Sequence, residues 1–353
     1  MKRKAFTYFR KPVHKYRENA ESEGICLFDH GLGVLEKYGL TAAGSCRGRG
    51  ALICQTDQGL KVIREYRGSL EKLKVQRKIQ QQAEADGKLK TDLPLLNLEG
   101  EAATLHTDGL LYTVRNWYDA RECDIRSREE ICRGAAALAH LHTVIRLPEG
   151  EEYAGYRKES LPDECGRHNR EMRRVQHFLQ KKQKKNEFER QLLKALDPFL
   201  EQGLAVTEEL KASGYEELRE RALKERYVCH GECTQHNILS AGRQPVFINF
   251  ERWSCDLPAA DLYQFMRKVL EKQDWDPDLG LRIAEAYDRI RPLDRPEREN
   301  LKLRLAYPWK FWKLVNYYAN NPKVWISGKT VEKLGRMEGQ REAWLAFLKN
   351  LRL

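Results

Sequence analysis

The stretch YVCHGECTQHNILSAGRQPVFINFERW, residues 227–253, decides the fold and raises the main question about function. A turn of His, Gly and an acid is followed by an amide, and then by a short apolar strand that ends in a polar residue and Phe. In chain order, the polar positions are His230, Glu232, Asn237 and Asn249. Acid and amide oxygens at such spacing are typical of loops that position phosphate groups and a metal ion.

The composition predicts a folded protein with a large core and a heavily ionic surface. The chain has 353 residues, of which 41% are hydrophobic and 33% are charged. This length suits two domains, or one fold with a small and a large lobe. Nine cysteines without a CxxC pair predict reduced, mostly buried thiols rather than disulfides or a metal site.

The sequence carries no signal for a membrane or for secretion. It has no run of about 18 apolar residues, so we expect no membrane-spanning helix and no membrane partner. The first residues, MKRKAFTYFRKPVHKYR, are basic but lack the apolar core of a secretory signal. We therefore expect synthesis in the cytoplasm.

The positive charge is densest in residues 167–185, RHNREMRRVQHFLQKKQKK, within a chain of net charge +11. Four apolar residues recur there at helical spacing: Met172, Val175, Phe178 and Leu179. This pattern predicts an amphipathic helix with a basic outer face. That face is either simply solvated or a docking surface for an acidic partner. The chain has no nucleic-acid-binding motif, so we expect no nucleic-acid partner.

The first third of the chain predicts a small antiparallel sheet with one inserted helix. ALICQT and LKVIREY are strands rich in β-branched and apolar residues, joined by a tight turn at Gly59. The helix after them has Ser69 as its N-cap and Gly87 as its stop. LPLLNLEG, AATLHTDG and LLYTVRNWY complete the predicted sheet.

From Arg126 onward the pattern is almost entirely helical. We predict an α+β, two-lobed fold, with a small antiparallel-sheet lobe and a large, mainly helical lobe. The expected boundaries are a basic extension at 1–24, the small lobe at 25–118 and the helical lobe at 119–353. A cleft is expected where the lobes join, near 113–124, because small-molecule sites usually lie at such junctions.

The motifs HGECTQHN and VFINF resemble the HGDxxxxN and IDF motifs of the aminoglycoside-phosphotransferase-like kinases. Within that group, TDQGLKVIREY, RHNREMRRVQHFLQKKQKKNEFER and YPWKFWKLVNYYANNPKVWIS resemble the CotS-type spore coat proteins, in the same order. The resemblance covers about residues 25–350. It implies a protein-kinase-like fold, synthesis in the mother cell, deposition on the spore coat, and other coat proteins as partners. For an active member it also implies ATP and Mg²⁺ as cofactors.

The resemblance places the chemistry on the loop, where two positions depart from the family. Glu232 stands where the family has a catalytic Asp, and the extra methylene moves the carboxylate by about an ångström, which can slow a reaction about a hundredfold. Asn237 matches the family's metal-binding Asn. Asn249 replaces its metal-binding Asp, although Mg²⁺ prefers carboxylate oxygens. Glu251 is a candidate substitute, because it would lie on the same side of an extended segment.

Three features of the small lobe belong to a nucleotide site in this family. Arg64 stands where the family has a phosphate-pairing Lys, and its helix partner is left open between Glu71 and Glu84. The glycines of GSCRGRG, Gly48 and Gly50 among them, are either a bare turn or a loop that covers phosphates. Asn116 lies where the hinge would pass the adenine, beside Trp117, which could equally pack between lobes.

The remaining family positions predict scaffold roles. His230 is expected to fix the loop by hydrogen bonds, and Asp261 either to N-cap its helix or to hold loop amides.

The scaffold positions are kept while Arg64, Glu232 and Asn249 have changed. This favours a spore coat pseudokinase acting in coat assembly. The alternatives are an active ATP-dependent small-molecule phosphotransferase acting on an alcohol, and a nucleotide-sensing regulator. Candidate docking surfaces are 167–185 and the Trp/Tyr-rich 307–325, which is alternatively a core helix.

Overall fold

A computed structural model describes residues 27–242, 244–321 and 326–351. The basic segment 1–24 lies outside the described residues. The chain divides into two compact units, Met1–Arg77 with Asp92–Asp119, and Lys78–Thr91 with Ala120–Leu353.

The first unit is built on an antiparallel sheet in the order β1-β2-β3-β6-β5. Its strands are β1 (Ala42–Gly48), β2 (Ala51–Thr56), β3 (Gly59–Glu65), β5 (Thr104–Leu105) and β6 (Leu111–Asn116). Thr56 pairs with Gly59 at the β2–β3 turn. Gly59 has φ +85°, which confirms the predicted turn. Helix α1 (Leu27–Glu36) packs on one face of this sheet through Val34 and Leu35.

Two predictions about this sheet were wrong. LPLLNLEG forms no strand and contributes a single bridge, Pro94 to Arg115, because proline has no N–H to extend a ladder. AATLHTDG contributes only the two residues of β5. Conversely, Ala42–Gly48 forms a strand, although its sequence, AAGSCRG, contains no β-branched residue that would predict one.

Helix α2 (Leu70–Glu84) follows β3 as predicted. The Ser69 hydroxyl accepts a hydrogen bond from the Lys72 N–H at 3.1 Å, so the N-cap is confirmed. Gly87, with φ +72°, follows the end of the helix and allows the chain to turn.

The second unit contains a four-stranded sheet, β4-β9-β8-β7. Its strands are β4 (Lys90–Thr91), β7 (Arg121–Glu122), β8 (Ile238–Ala241) and β9 (Gln244–Phe247). β8 and β9 form an antiparallel hairpin, with Ile238 opposite Phe247. The segments before β8 and after β9 therefore lie side by side, which is how residues from the two ends of 227–253 meet.

The rest of the second unit is helical. Its helices are α3 (Arg128–Val144), α4 (Leu161–Lys181), α5 (Glu187–Ala212), α6 (Tyr215–Lys224), α7 (Ala259–Leu270), α8 (Pro277–Asp288), α9 (Arg295–Ala306), α10 (Trp309–Asn320), α11 (Gly328–Gly339) and α12 (Arg341–Asn350). None of the described helices is long and apolar enough to cross a bilayer. The predicted fold class is confirmed: a kinase-like fold with an antiparallel sheet in the first unit and a helical second unit.

Two pairs of consecutive helices are separated by short breaks. Helices α9 and α10 are divided at Pro308, whose ring and missing N–H interrupt helical hydrogen bonding. Helices α11 and α12 are divided at Gln340. In α4, Met172, Val175 and Leu179 are buried as expected, whereas Phe178 is 42% exposed and is not part of the apolar face.

Candidate functional site

One buried carboxylate, that of Asp261, organises the loop at 230–232. It accepts hydrogen bonds from the backbone N–H groups of His230 at 2.6 Å and Gly231 at 2.9 Å. His142 Nε2 also lies 3.2 Å from it. Burial raises the pKa of Asp261, but the bond from His142 and the other contacts outweigh this and leave the pKa lowered. The side chain therefore holds loop amides and does not cap its helix, whose N-cap is Pro258.

His142 supports that carboxylate from helix α3. Burial lowers the pKa of His142, so the ring is neutral and one nitrogen carries the hydrogen. Nε2–H donates to Asp261, and Nδ1 accepts from the Tyr287 hydroxyl at 2.7 Å. The Cys229 sulfur lies within 4.8 Å of the ligand atoms of His142 and Asp261. Burial raises the pKa of Cys229, and its thiol donates to the Leu257 carbonyl at 3.1 Å. The group is thus a hydrogen-bonded scaffold of protonated thiol and neutral imidazole, unlike a metal site.

His230 is fixed at both ring nitrogens. Nε2 donates to the Ile248 carbonyl at 2.9 Å, and Nδ1 accepts from the Glu232 N–H at 3.2 Å. Gly231 has φ +82°, and a Cβ there would lie 2.0 Å from the Arg252 carbonyl oxygen. Only glycine fits this close approach, which brings the two sides of the loop together.

The two asparagines are joined by their side-chain amides. Asn237 Nδ2 donates to the Glu232 carbonyl at 2.8 Å, and Asn249 Nδ2 donates to Asn237 Oδ1 at 2.7 Å. The Glu232 carbonyl can only accept, so the nitrogen of Asn237 must face it and the oxygen must face Asn249. An N–H group therefore points at the one Asn237 oxygen that a metal ion would need.

The backbone at Asn249 is left-handed, with φ 68° and ψ 53°. Residues Phe250–Arg252 then form a 3₁₀ turn. The prediction that Glu251 lies on the same side of an extended segment as Asn249 was therefore wrong, because residues two apart do not share a face in a 3₁₀ turn. The reason for naming Glu251 as a substitute metal ligand is lost.

The Glu232 carboxylate is turned toward solvent and toward a cation. Its oxygen lies 3.4 Å from Arg252 Nε, and the two side chains are 44% and 73% exposed. An exposed pair of this kind contributes little to stability. It does place a positive charge beside the only carboxylate of the His-Gly-Glu turn, a neighbour that the sequence prediction missed.

In the first unit, Arg64 lies on β3 opposite Thr113 of β6. Its guanidinium carbon is 5.7 Å from the centre of the Trp117 ring, close enough for a cation–π interaction. Lys61, an odd number of residues away on the strand, donates instead to the Gln58 carbonyl at 2.6 Å. The backbone N–H of Asn116 is bonded to the Leu93 carbonyl at 3.0 Å.

The glycine-rich stretch is a tight hairpin. Gly48 pairs with Ala51, and the two residues between them, Arg49 and Gly50, have φ of 53° and 72°. Two left-handed residues in a two-residue connection are typical of a type I′ turn. This geometry is common to both sequence interpretations, a bare turn and a loop that covers phosphates, so the role of Gly48 and Gly50 stays a prediction.

Helix α2 carries the two acids that were considered as partners for Arg64, and it also has two buried amides. Glu84 accepts hydrogen bonds from both the N–H and the hydroxyl of Thr91, each at 2.7 Å, and Glu71 is exposed. The buried polar side chains of the helix are Gln76 and Gln80, at 1% and 0% exposure. The sequence analysis missed them, although their spacing on the apolar face is a signal that could have found them.

A family model described as the phosphotransferase enzyme family matches residues 62–301. The match covers the loop, both asparagines, Arg64 and Asp261. The chain therefore belongs to this phosphotransferase family.

Among curated proteins, it is similar to Spore coat protein S of Bacillus subtilis (strain 168), at 28% identity over 166 residues. The aligned part covers 46% of this chain and 47% of that protein, so the chain spans about half the length of its curated relative.

Among solved structures, the fold is similar to that of an aminoglycoside phosphotransferase from Alicyclobacillus acidocaldarius. The TM-score is 0.81 at 19% identity, and the match covers 95% of this chain and 98% of that one. Spectinomycin phosphotransferase, solved with ADP and spectinomycin, matches with a TM-score of 0.59 at 12% identity, over 90% of this chain and 97% of that one. The predicted resemblance to CotS-type proteins with an aminoglycoside-phosphotransferase-like fold is confirmed.

Proposed function

We propose that this chain is a spore coat protein that uses a phosphotransferase fold for its shape, as a pseudokinase in coat assembly. The observation that carries the proposal is the amide pair of Asn237 and Asn249, with its 2.7 Å hydrogen bond. A carboxylate at Asn249 would have no hydrogen to donate, and the Asn237 oxygen would stay open to a cation. With two neutral amides bonded to each other, the residues present do not fit a Mg²⁺ ion.

Two further contacts support a lost activity. The Arg252 guanidinium stands 3.4 Å from the Glu232 carboxylate, at the position where the family's catalytic acid orients a hydroxyl. The cation lies beside a carboxylate whose longer side chain already moves it from the position of the family's acid. In the first unit, Arg64 lies over the Trp117 ring, where the family has a phosphate-pairing Lys. One acidic group of the family's site is thus replaced by an amide, at Asn249, and two further charged positions, Glu232 and Arg64, carry altered side chains with neighbours of their own.

The scaffold, by contrast, is fully bonded. Asp261, His142, His230 and Gly231 form a closed set of buried hydrogen bonds that fixes the loop. We assign these residues scaffold roles, which preserve the surface of the fold whether or not phosphate is transferred.

The coat context comes from the relative named Spore coat protein S. We propose synthesis in the mother cell, deposition on the coat and binding to other coat proteins. Of the two docking surfaces considered, the outer face of α4 is the better candidate. On α10, Phe311, Leu314, Val315 and Tyr318 are buried, which commits the apolar face of that helix to the core.

The alternative is an active phosphotransferase, and family membership together with the retained carboxylate of Glu232 favours it over other enzymes. Thermal denaturation with ATP, with and without Mg²⁺, separates the two, because a ligand of the folded state raises the melting temperature. We expect no Mg²⁺-dependent shift. A Mg²⁺-dependent shift, with ATP turnover lost in Glu232→Ala but kept in the exposed control Glu342→Ala, would establish the enzyme. A shift without turnover would establish a nucleotide-sensing regulator.

The coat assignment has its own test. A fluorescent fusion expressed in sporulating Bacillus subtilis is expected to form a shell around the forespore, and Glu232→Ala is expected to leave that pattern unchanged. A fusion that stays diffuse in the mother cell contradicts the coat role.

A further inference from the structure

The second unit contains a groove of about 530 Å³ between α7, α10 and α11. A volume of this size is typical of a small-molecule site. Seven of its lining side chains are Lys or Arg, and Glu271 is the only carboxylate among the lining residues that the structure describes. That carboxylate is shared by Arg267 at 2.6 Å and Lys310 at 3.4 Å. The groove therefore has a large excess of positive charge.

The excess is not neutralised by neighbouring acids. Within 27–242, 244–321 and 326–351, no ion pair involves the other five cations of the groove, which are Lys268, Lys313, Lys329, Lys333 and Arg336. Elsewhere the same fold pairs its cations readily, as Arg128 does with Asp276 and Asp278. The groove thus combines a high density of cations with a single shared carboxylate among its described lining residues.

The arrangement on α11 is unfavourable for the free protein. Lys329, Lys333 and Arg336 are spaced four and three residues apart, so they share one face of the helix. Like charges at this spacing destabilise a helix unless an anion lies between them. All three side chains line the groove.

Burial increases the repulsion on α7. Arg267 is 9% exposed, and its Nε has no hydrogen-bond partner within the described part of the chain. Burial, together with the charge of Arg267, lowers the pKa of Lys268. An anion in the groove would relieve this repulsion, whereas a polycation would be repelled.

We propose that this groove binds a small multivalent anion, a ligand with two or more phosphate or carboxylate groups. The proposal goes beyond the coat role, and it holds whether or not the chain transfers phosphate.

The test is isothermal titration of inorganic pyrophosphate into the full chain, without divalent cations and at low ionic strength. We expect one-site binding that weakens as salt is added, because salt screens exposed charges. The double variant Lys329→Gln, Lys333→Gln should weaken binding about fivefold or more, from the charges removed. The control, Lys181→Gln with Lys184→Gln, removes the same charge from exposed positions at the end of α4 and should bind like the wild type. Gln keeps the helix propensity of Lys, so both proteins should fold, which their melting curves will check.

Three outcomes would overturn the proposal: no binding, equal weakening in both double variants, or binding of an acidic peptide without binding of pyrophosphate.

The result of this titration is independent of the test for phosphotransferase activity. ATP is itself a multivalent anion, so a metal-independent ATP shift that disappears in Lys329→Gln, Lys333→Gln reports on this groove. A Mg²⁺-dependent shift that survives in that variant reports on the loop and contradicts the pseudokinase proposal instead.

Discussion

Replacing Asn249 by aspartate should cost stability without metal and restore it with metal. The Asn249 side chain donates to Asn237 Oδ1 at 2.7 Å, and Asn237 in turn donates to the Glu232 carbonyl at 2.8 Å. A carboxylate at 249 cannot donate. Either two oxygens then face each other, or the Asn237 amide rotates and gives up its bond to Glu232. One hydrogen bond is lost in both cases, so we expect a destabilisation of about 1 kcal/mol.

Mg²⁺ should reverse that loss in Asn249→Asp alone. At a Mg²⁺ concentration ten times its dissociation constant, binding to the folded state contributes about 1.4 kcal/mol, enough to offset the lost bond. The assay is urea denaturation of the wild type, Asn249→Asp and Asn249→Gly, with and without Mg²⁺. Glycine tolerates the left-handed backbone and removes the bond without adding a carboxylate, so it is the matched control. A wild type that already gains stability from Mg²⁺, or an Asn249→Asp protein that gains none, would refute the reasoning.

Three other predictions concern the scaffold and the core. Asp261→Asn should destabilise the protein by about 2–4 kcal/mol, measured by urea denaturation, because a buried backbone N–H then faces an amide nitrogen. A loss below about 1 kcal/mol would contradict the role of Asp261 in organising the loop at 230–232. Gly231→Ala, with its Cβ 2.0 Å from the Arg252 carbonyl, should abolish soluble expression, while Gly155→Ala, with no atom within 4 Å, should not. Burial lowers the pKa of His168 to about 3, below its unfolded value near 6.5. The unfolded state therefore binds a proton before the folded state does, and the free energy of unfolding falls by about 2 kcal/mol as the pH is lowered from 8 to 5. His168→Gln should flatten the pH dependence of the denaturant midpoint, and an unchanged slope would show that the ring is not held neutral.

The fold could be predicted because its main elements are strongly patterned. The β2–β3 hairpin needs Gly59 at a positive φ, and α2 begins at a serine cap, so local sequence is sufficient for both. The failures lie where tertiary contacts override local preference. β1 has no β-branched residue, and it is held as a strand by pairing with β2. Residues 93–100 look like a strand, but the chain bonds to β6 at isolated points only.

The site was predictable as a set of residues but not as a set of contacts. The sequence named Glu232, Asn237 and Asn249, and the structure brings these residues together, whereas the amide-to-amide bond depends on a left-handed residue that no sequence period reveals. For the same reason the sequence wrongly predicted an extended segment in which Glu251 would lie on the same side as Asn249. The two remote residues that act on the loop, His142 and Arg252, approach it through folding, and nothing local to 230–237 indicates them.

The left-handed backbone of Asn249 also limits how this position can evolve. At φ 68° and ψ 53°, asparagine, aspartate and glycine are the residues that avoid serious strain. An ancestor with aspartate could exchange its charge for neutrality here with no rearrangement of the chain, and asparagine is the only one of the three that then supplies a hydrogen to its neighbour. A single substitution of Asn249 would restore the carboxylate. That route would be lost only if position 249 changed to a residue that cannot adopt the left-handed backbone, because the turn itself would then have to change.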